Sequence, residues 1–171
     1  MDLPVWQARY DELKDQGFMV VAVAQESRGA EHARPWIEQA KSSYWQLVDT
    51  QHRLSDLYNL VNVPQAIWID EQGRIVRPPE AAGSTDHFRR MDLKTRTMSP
   101  QDQAERLAAR QAYLDAIRAW VMTGAHALPA ASVRANLPKV TQEIAEAHAR
   151  FRLGVWLRTH GRAAEGDLQM A

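Results

Sequence analysis

Asn62-Val63-Pro64-Gln65-Ala66-Ile67-Trp68-Ile69-Asp70-Glu71-Gln72-Gly73-Arg74-Ile75-Val76 is the stretch that decides the fold. Ala66 to Ile69 and Arg74 to Val76 are short runs rich in β-branched and aromatic residues, which suit a pleated, half-buried strand. Glu71-Gln72-Gly73 forms the turn between them, with Gly73 supplying positive φ. Pro64 leads into the first strand. Pro78-Pro79 is expected to stop the second, because proline donates nothing to a ladder.

Upstream, helices and strands alternate. Leu3 to Gln16 reads as a helix, with Trp6, Tyr10 and Leu13 on one stripe and Gly17 ending it. Phe18 to Ala24 is a near-continuous apolar run, the mark of a strand covered on both faces. Ser27-Arg28-Gly29 breaks it. Ala30 to Lys41 reads as a helix with Ala33, Trp36, Ile37 and Ala40 inward, Trp45 to Asp49 as a short strand, and Arg53 to Leu60 as a short helix. Such alternation predicts an α/β layer fold.

Downstream the character changes. Ala81 to Met98 is polar, with Phe88 and Met91 as candidate anchors. Ser99-Pro100-Gln101-Asp102 is a helix start: serine caps, proline sits first, and an acid follows three after the cap. Leu107, Leu114, Ile117, Trp120 and Val121 give a stripe that ends at Gly124. A second long helix is expected from about Leu137 to His160, ended by Gly161, with Arg162 to Ala171 starting another. This half reads as an αα-hairpin or the beginning of a helical array.

The 171 residues carry 21 Lys plus Arg against 21 Asp plus Glu. A zero formal charge argues against nucleic acid, which wants a basic face. The Arg89-Arg90 to Arg96 stretch is mixed with Asp92 and too short for such a patch. No apolar run approaches the ~20 residues of a membrane span, and no secretory signal is read before the first helix, so the chain as given reads as cytoplasmic. There is no cysteine, hence no disulfide and no thiolate ligand or nucleophile.

The six histidines, His32, His52, His87, His126, His148 and His160, form no metal-binding motif. Asp49-x-x-His52 and Asp86-His87 are at most partial ligand sets, and surface or capping roles suit them better. No metal and no cofactor are expected. Ser27, Ser42, Ser43 and Ser84 lack a nucleophile-elbow context, so hydrolysis finds no support. Trp36, Trp45, Trp68, Trp120 and Trp156 read as core. Gln25 and Glu26 follow a strand at the carboxyl edge of the sheet, where open α/β sheets place ligands. Glu26 there is either a proton relay or a solvated loop charge.

Leu3-Pro4-x-Trp6, Gly17-Phe18-x-Val20-Val21-Ala22-Val23, Leu47-Val48-Asp49 and Val63-Pro64 before Ile67-Trp68-Ile69-Asp70-x-x-Gly73-Arg74-Ile75-Val76 resemble, in order and spacing, thioredoxin-fold proteins of the TlpA/ResA-like (redoxin) thiol-disulfide reductase group. The resemblance covers about half of the chain. It implies a thioredoxin-like three-layer α/β/α sheet over residues 1–95, with 96–171 a helical region. It also implies a cis peptide at Val63-Pro64, beside the redox cleft, with the Val63 backbone pairing with substrate. Val63, Pro64, Gln65, Gln25 and Glu26 become candidate substrate-binding residues, and no residue of this chain is assigned as catalytic.

The departure from that family is large. The family's central strand and its Trp-x-x-Cys-x-x-Cys-type loop belong immediately upstream of the Leu-Pro helix. Met1-Asp2-Leu3-Pro4 stands there instead, so the domain is expected to be N-terminally incomplete. Three explanations stay open: a fragment, a redox-dead relative, or a reading frame started too late. The last fits a selenoprotein-type relative, since a selenocysteine codon reads as a stop and a frame restarted at the next Met begins here.

Ala149-x-Phe151-x-Leu153-Gly154-x-x-Leu157-x-x-x-Gly161 is similar to the first helix and turn of a tetratricopeptide repeat, with Gly166 where the repeat prefers alanine. An amphipathic helix with a glycine cap accounts for the same letters.

The resemblance implies the thioredoxin-like domain of a thiol or selenol oxidoreductase acting on a disulfide-bearing protein or a small peroxide, inactive without its cysteines. The alternative is a redox-dead binding or scaffold module with a protein partner on the helical region.

Overall fold

A computed structural model of the chain describes residues 3–60, 62–82, 90–92 and 94–170. Ser84, Asp86, His87, Phe88 and Arg89 lie outside the described residues. The fold is mixed α/β, and the chain divides into two compact units, Met1–Leu137 and Pro138–Ala171.

The first unit opens with α1 (Leu3–Leu13), extended by a 3-10 turn to Gln16 and closed by Gly17 at φ 80. Strand β1 (Val21–Gln25) pairs in parallel with β2 (Trp45–Asp49), and α2 (Ala30–Ala40) is the crossover between them. Helix α3 (Arg53–Tyr58) follows. Strands β3 (Gln65–Ile69) and β4 (Ile75–Ala81) form an antiparallel hairpin over the Asp70–Gly73 turn. The Asp70 carboxylate fastens that turn by accepting from the Gln72 and Arg74 amides and pairing with the Arg74 guanidinium.

Strand β4 runs through Pro78-Pro79, which were expected to stop it. The ladder explains this. Ala66 stands opposite Glu80 and Trp68 opposite Arg77, so both prolines sit in a bulge facing Ile67, where no ladder donor is needed. A second irregularity leaves Val76 between the pairs Trp68–Arg77 and Ile69–Ile75. The Val76 carbonyl instead accepts the Leu128 amide at 2.9 Å.

Among the described residues the strands make two separate two-stranded sheets, β1–β2 and β3–β4. Helix α1 touches both. On one side Tyr44, just before β2, donates to the Leu3 carbonyl and meets Tyr10 edge-on, and Gln7 bonds both Ser43 Oγ and the Ser43 amide. On the other, Leu13 packs with Trp68 of β3.

Helix α4 (Pro100–Thr123) begins as expected, with Ser99 Oγ accepting the Asp102 amide, and ends on Gly124 at φ 74. The division near residue 95 is not observed. Ile117 joins Leu13 and Trp68 in the core, with Tyr113, Trp120 and Val121 packed against them, so α4 belongs to the first unit. Leu13 and Ile117 keep only 2% and 1% of their surface in contact with solvent. Burying each contributes on the order of 1.5–3 kcal/mol. Helix α5 (Ala130–Asn136) completes the unit and packs on β4.

The second unit is an αα-hairpin of α6 (Gln142–Thr159) and α7 (Ala163–Met170). The expected start at Leu137 fails because Pro138 pushes Leu137 to extended backbone, ψ 139. Thr141 caps the helix instead, its Oγ1 accepting the Ile144 amide. The five tryptophans expected in the core do not share one fate. Trp68 is buried and stacks on Trp120, while Trp36, Trp45 and Trp156 are exposed. Trp156 stacks on His160 of its own helix.

Candidate functional site

Two neighbouring features sit on the β1–β2 half: the carboxyl end of the strands and the unpaired side of β1. The register that sets Gln25 opposite Asp49 brings the loops after both strands side by side. Glu26-Ser27-Arg28-Gly29 leads into α2, and Thr50-Gln51-His52 leads into α3. Asp49 Oδ2 accepts the Leu54 amide at 2.7 Å, and Oδ1 accepts the Gln51 amide. Gln25 Nε2 donates to Asp49 Oδ2 at 3.3 Å. Gln25 Oε1 in turn lies 2.9 Å from Ser55 Oγ and 3.1 Å from His52 Nδ1, and His52 Nε2 lies 2.7 Å from Ser27 Oγ. Burial pushes the Asp49 carboxyl up, but the amides of Leu54, Arg53 and Gln51 and the Gln25 side chain outweigh it and hold it below its ordinary value.

Glu26 forms a two-point ion pair with Arg28, at 2.8 and 2.9 Å, and accepts the Arg28 amide as well. The Arg28 side-chain bonds, then the backbone bond, bring its carboxyl down to about 2. It is therefore ionised across neutral pH, which suits a fixed loop charge and not a proton relay. Asp49 accepts backbone amides and His52 engages Ser27 and Gln25. Among the described residues no group of three or more histidines or carboxylates is arranged to hold a metal ion, and no helix is long and apolar enough to cross a membrane.

A groove of about 250 Å³ follows β1, lined by Leu3 of α1, Ala22, Ala24 and Glu26, and Trp36 and Ile37 of α2. Trp36 is 70% exposed at its rim. Both alternating sets of β1 side chains, Ala22 and Ala24 with Val23 and Gln25, border it. A strand paired on one side only offers such a border, since its second row of N–H and C=O groups lies open.

The Val63-Pro64 peptide is cis. Val63 is 66% exposed, and Gln65 opens β3 with its Nε2 bonded to Asn62 Oδ1 at 2.8 Å. Gln65 Oε1 is buried without a partner, an acceptor left open in this segment. Among the described residues no hydrogen bond joins Val63, Pro64 or Gln65 to Gln25 or Glu26. The five expected residues thus fall in two groups, one at the end of β1 and one at the start of β3. The pairing of Ser27 with His52 is not visible in the sequence, where the two residues are read separately, because their meeting depends on the β1–β2 register. The signal available there was position alone: each follows the end of one of two successive strands by two or three residues.

No family model matches the chain, and neither a curated protein nor a solved structure matches it.

Proposed function

We propose that the chain is the larger part of a thioredoxin-like domain from a thiol or selenol oxidoreductase, acting on a disulfide or small peroxide and inert without its cysteine-bearing loop. One observation carries this reading. Among the described residues β1 is paired only with β2 and β3 only with β4, so each offers a row of backbone groups that no described strand pairs, and both halves rest on α1 through Tyr44 and Leu13. A strand between the halves would satisfy both rows. Such a strand, running toward the start of α1, would deliver a Cys-x-x-Cys loop to that helix's amino end. There the partial positive charge of the helix stabilises a thiolate and lowers its pKa. The thiolate would attack a disulfide sulfur or a peroxide oxygen, and the second thiol would resolve the product. Val63 and Gln65, beside the cis peptide, would bind the extended substrate by strand addition.

The test adds a strand and a Cys-x-x-Cys loop before Asp2 and compares both proteins for thiol-dependent turnover of a small disulfide and a peroxide. The extended protein is expected to turn over while the 171-residue chain stays at the buffer rate. An extended protein that folds and remains inert favours the second reading, a binding or scaffold module. That reading has its own support in the apolar surface of the second unit, where Phe151, Trp156 and Leu168 are exposed.

A further inference from the structure

Ser27 and His52 are 25 positions apart and their side chains meet at 2.7 Å. The hydrogen bonds behind them have a direction. An ionised carboxylate only accepts, so Asp49 fixes Gln25 with its amide nitrogen turned toward it. The Gln25 amide oxygen is then the atom facing Ser55 Oγ and His52 Nδ1. A carbonyl oxygen also only accepts, so the neutral imidazole carries its proton on Nδ1. That leaves the Nε2 lone pair for Ser27, and the Ser27 hydroxyl is the donor. The order is nucleophile, base, and a third group orienting the base.

Two further features suit this role. Ser27 is exposed while His52 is half-buried, so the hydroxyl is reachable and the base is held. His52 sits at φ 53 at the head of α3; its carbonyl accepts the Asp56 amide at 3.0 Å, but its side chain makes no capping bond to that helix. Histidine is among the few non-glycine residues that adopt this left-handed conformation readily, and here its ring is engaged with Ser27 and Gln25.

We propose that Ser27 is a nucleophile activated by His52, with Gln25 and Asp49 as positioning residues, and that it accepts uncharged carboxylic esters. The flanking charges favour an uncharged substrate, and an ester is the acyl compound chosen to test it. Glu26 and Arg28, on either side of Ser27, neutralise each other in a two-point pair, so this pair offers no net charge to a phosphate or a carboxylate. In the first step Ser27 Oγ bonds to the ester carbonyl carbon and its proton passes to His52 Nε2. The bond from that carbon to the leaving alcohol breaks, the alcohol oxygen taking the bonding pair and the proton from Nε2. Water then attacks the acyl carbon and gives a proton to Nε2. The acyl–Oγ bond breaks and the proton returns to Oγ. Water is the sole co-reactant. This inference is independent of the thioredoxin-like reading and needs no cysteine.

The experiment treats the full chain with a fluorophosphonate probe and, separately, with p-nitrophenyl acetate. One adduct per chain, mapped to Ser27, and release of p-nitrophenol above the buffer rate are expected. Ser27→Ala should abolish both. His52→Asn, chosen because asparagine tolerates left-handed backbone, should slow both about 100-fold, as loss of a general base does. Labelling of His52→Asn at the undiminished rate would overturn the assignment of the base. Peptide mapping on the unmutated chain decides the nucleophile whether or not a variant folds: no adduct at Ser27 overturns the proposal.

Discussion

Gly154 of α6 and Gly166 of α7 meet backbone to backbone: a Cβ placed on Gly166 would stand 2.6 Å from the Gly154 carbonyl oxygen and 2.7 Å from Arg158 Cγ. The carbonyl cannot turn aside without unwinding its own helix. Alanine at 166 must therefore push the two helices apart, although alanine is the better helix former by ~1 kcal/mol. Overpacking of this kind costs ~1–3 kcal/mol. Gly166→Ala in the full chain should speed amide exchange in α6 and α7 several-fold and leave β1 to β4 unchanged. Unaltered exchange in both helices would mean that the close approach does not matter.

The buried Trp68 indole donates to the Tyr113 phenol oxygen at 2.9 Å. Tyr113→Phe keeps the ring, which meets Trp68 edge-on at 5.8 Å between centroids, and orphans the indole N–H. The expected loss is ~1–3 kcal/mol, read as a lower urea midpoint at constant slope. The phenol also sets a pH limit. Burial pushes its pKa up from 10.0 to about 12, so the folded chain holds a proton that the unfolded chain releases. Stability from this group is whole below pH ~10 and declines by ~1.4 kcal/mol per unit as pH rises to ~12. Alkaline unfolding of Tyr113→Phe should lack that decline. An equal decline in both proteins would place its origin elsewhere.

Strands β1 and β3 should show one-sided protection in hydrogen exchange. Amides that face β2 or β4 are held in ladders, whereas alternate amides point to the unpaired side. Within Val21–Gln25 and Gln65–Ile69, slow and fast amides should therefore alternate. Uniform protection along β1 would reveal a partner on its open side and remove the basis for a vacancy between the two halves.

Local chemistry was legible in the sequence, and long-range register was not. The Ser99-Pro100 start of α4 and its Gly124 end were readable because caps are decided within a few residues. The Asp70–Gly73 turn was readable for the same reason. The path of β4 through Pro78-Pro79 was hidden, because only the bulge opposite Ile67 removes the demand for a donor. The stripe of α4 was visible, but a stripe does not say what it packs against, and Ile117 proved to close the core of the first unit. Helix α5 was missed altogether; its seven residues are too short for a periodic signal. Gln25 could be placed at a sheet edge, yet its Asp49 and His52 partners come from parallel pairing across a crossover.

The edges of the β3–β4 hairpin are treated unequally. Two prolines in β4 have no N–H to offer, and the Val76 carbonyl on that strand is already taken by Leu128. That strand therefore has fewer backbone groups to offer a passing strand. Among the described residues the far side of β3 and the second side of β1 have no such guard. A flexible segment colliding with this unit at random orientations would find lasting purchase along β1 or β3 and little along β4.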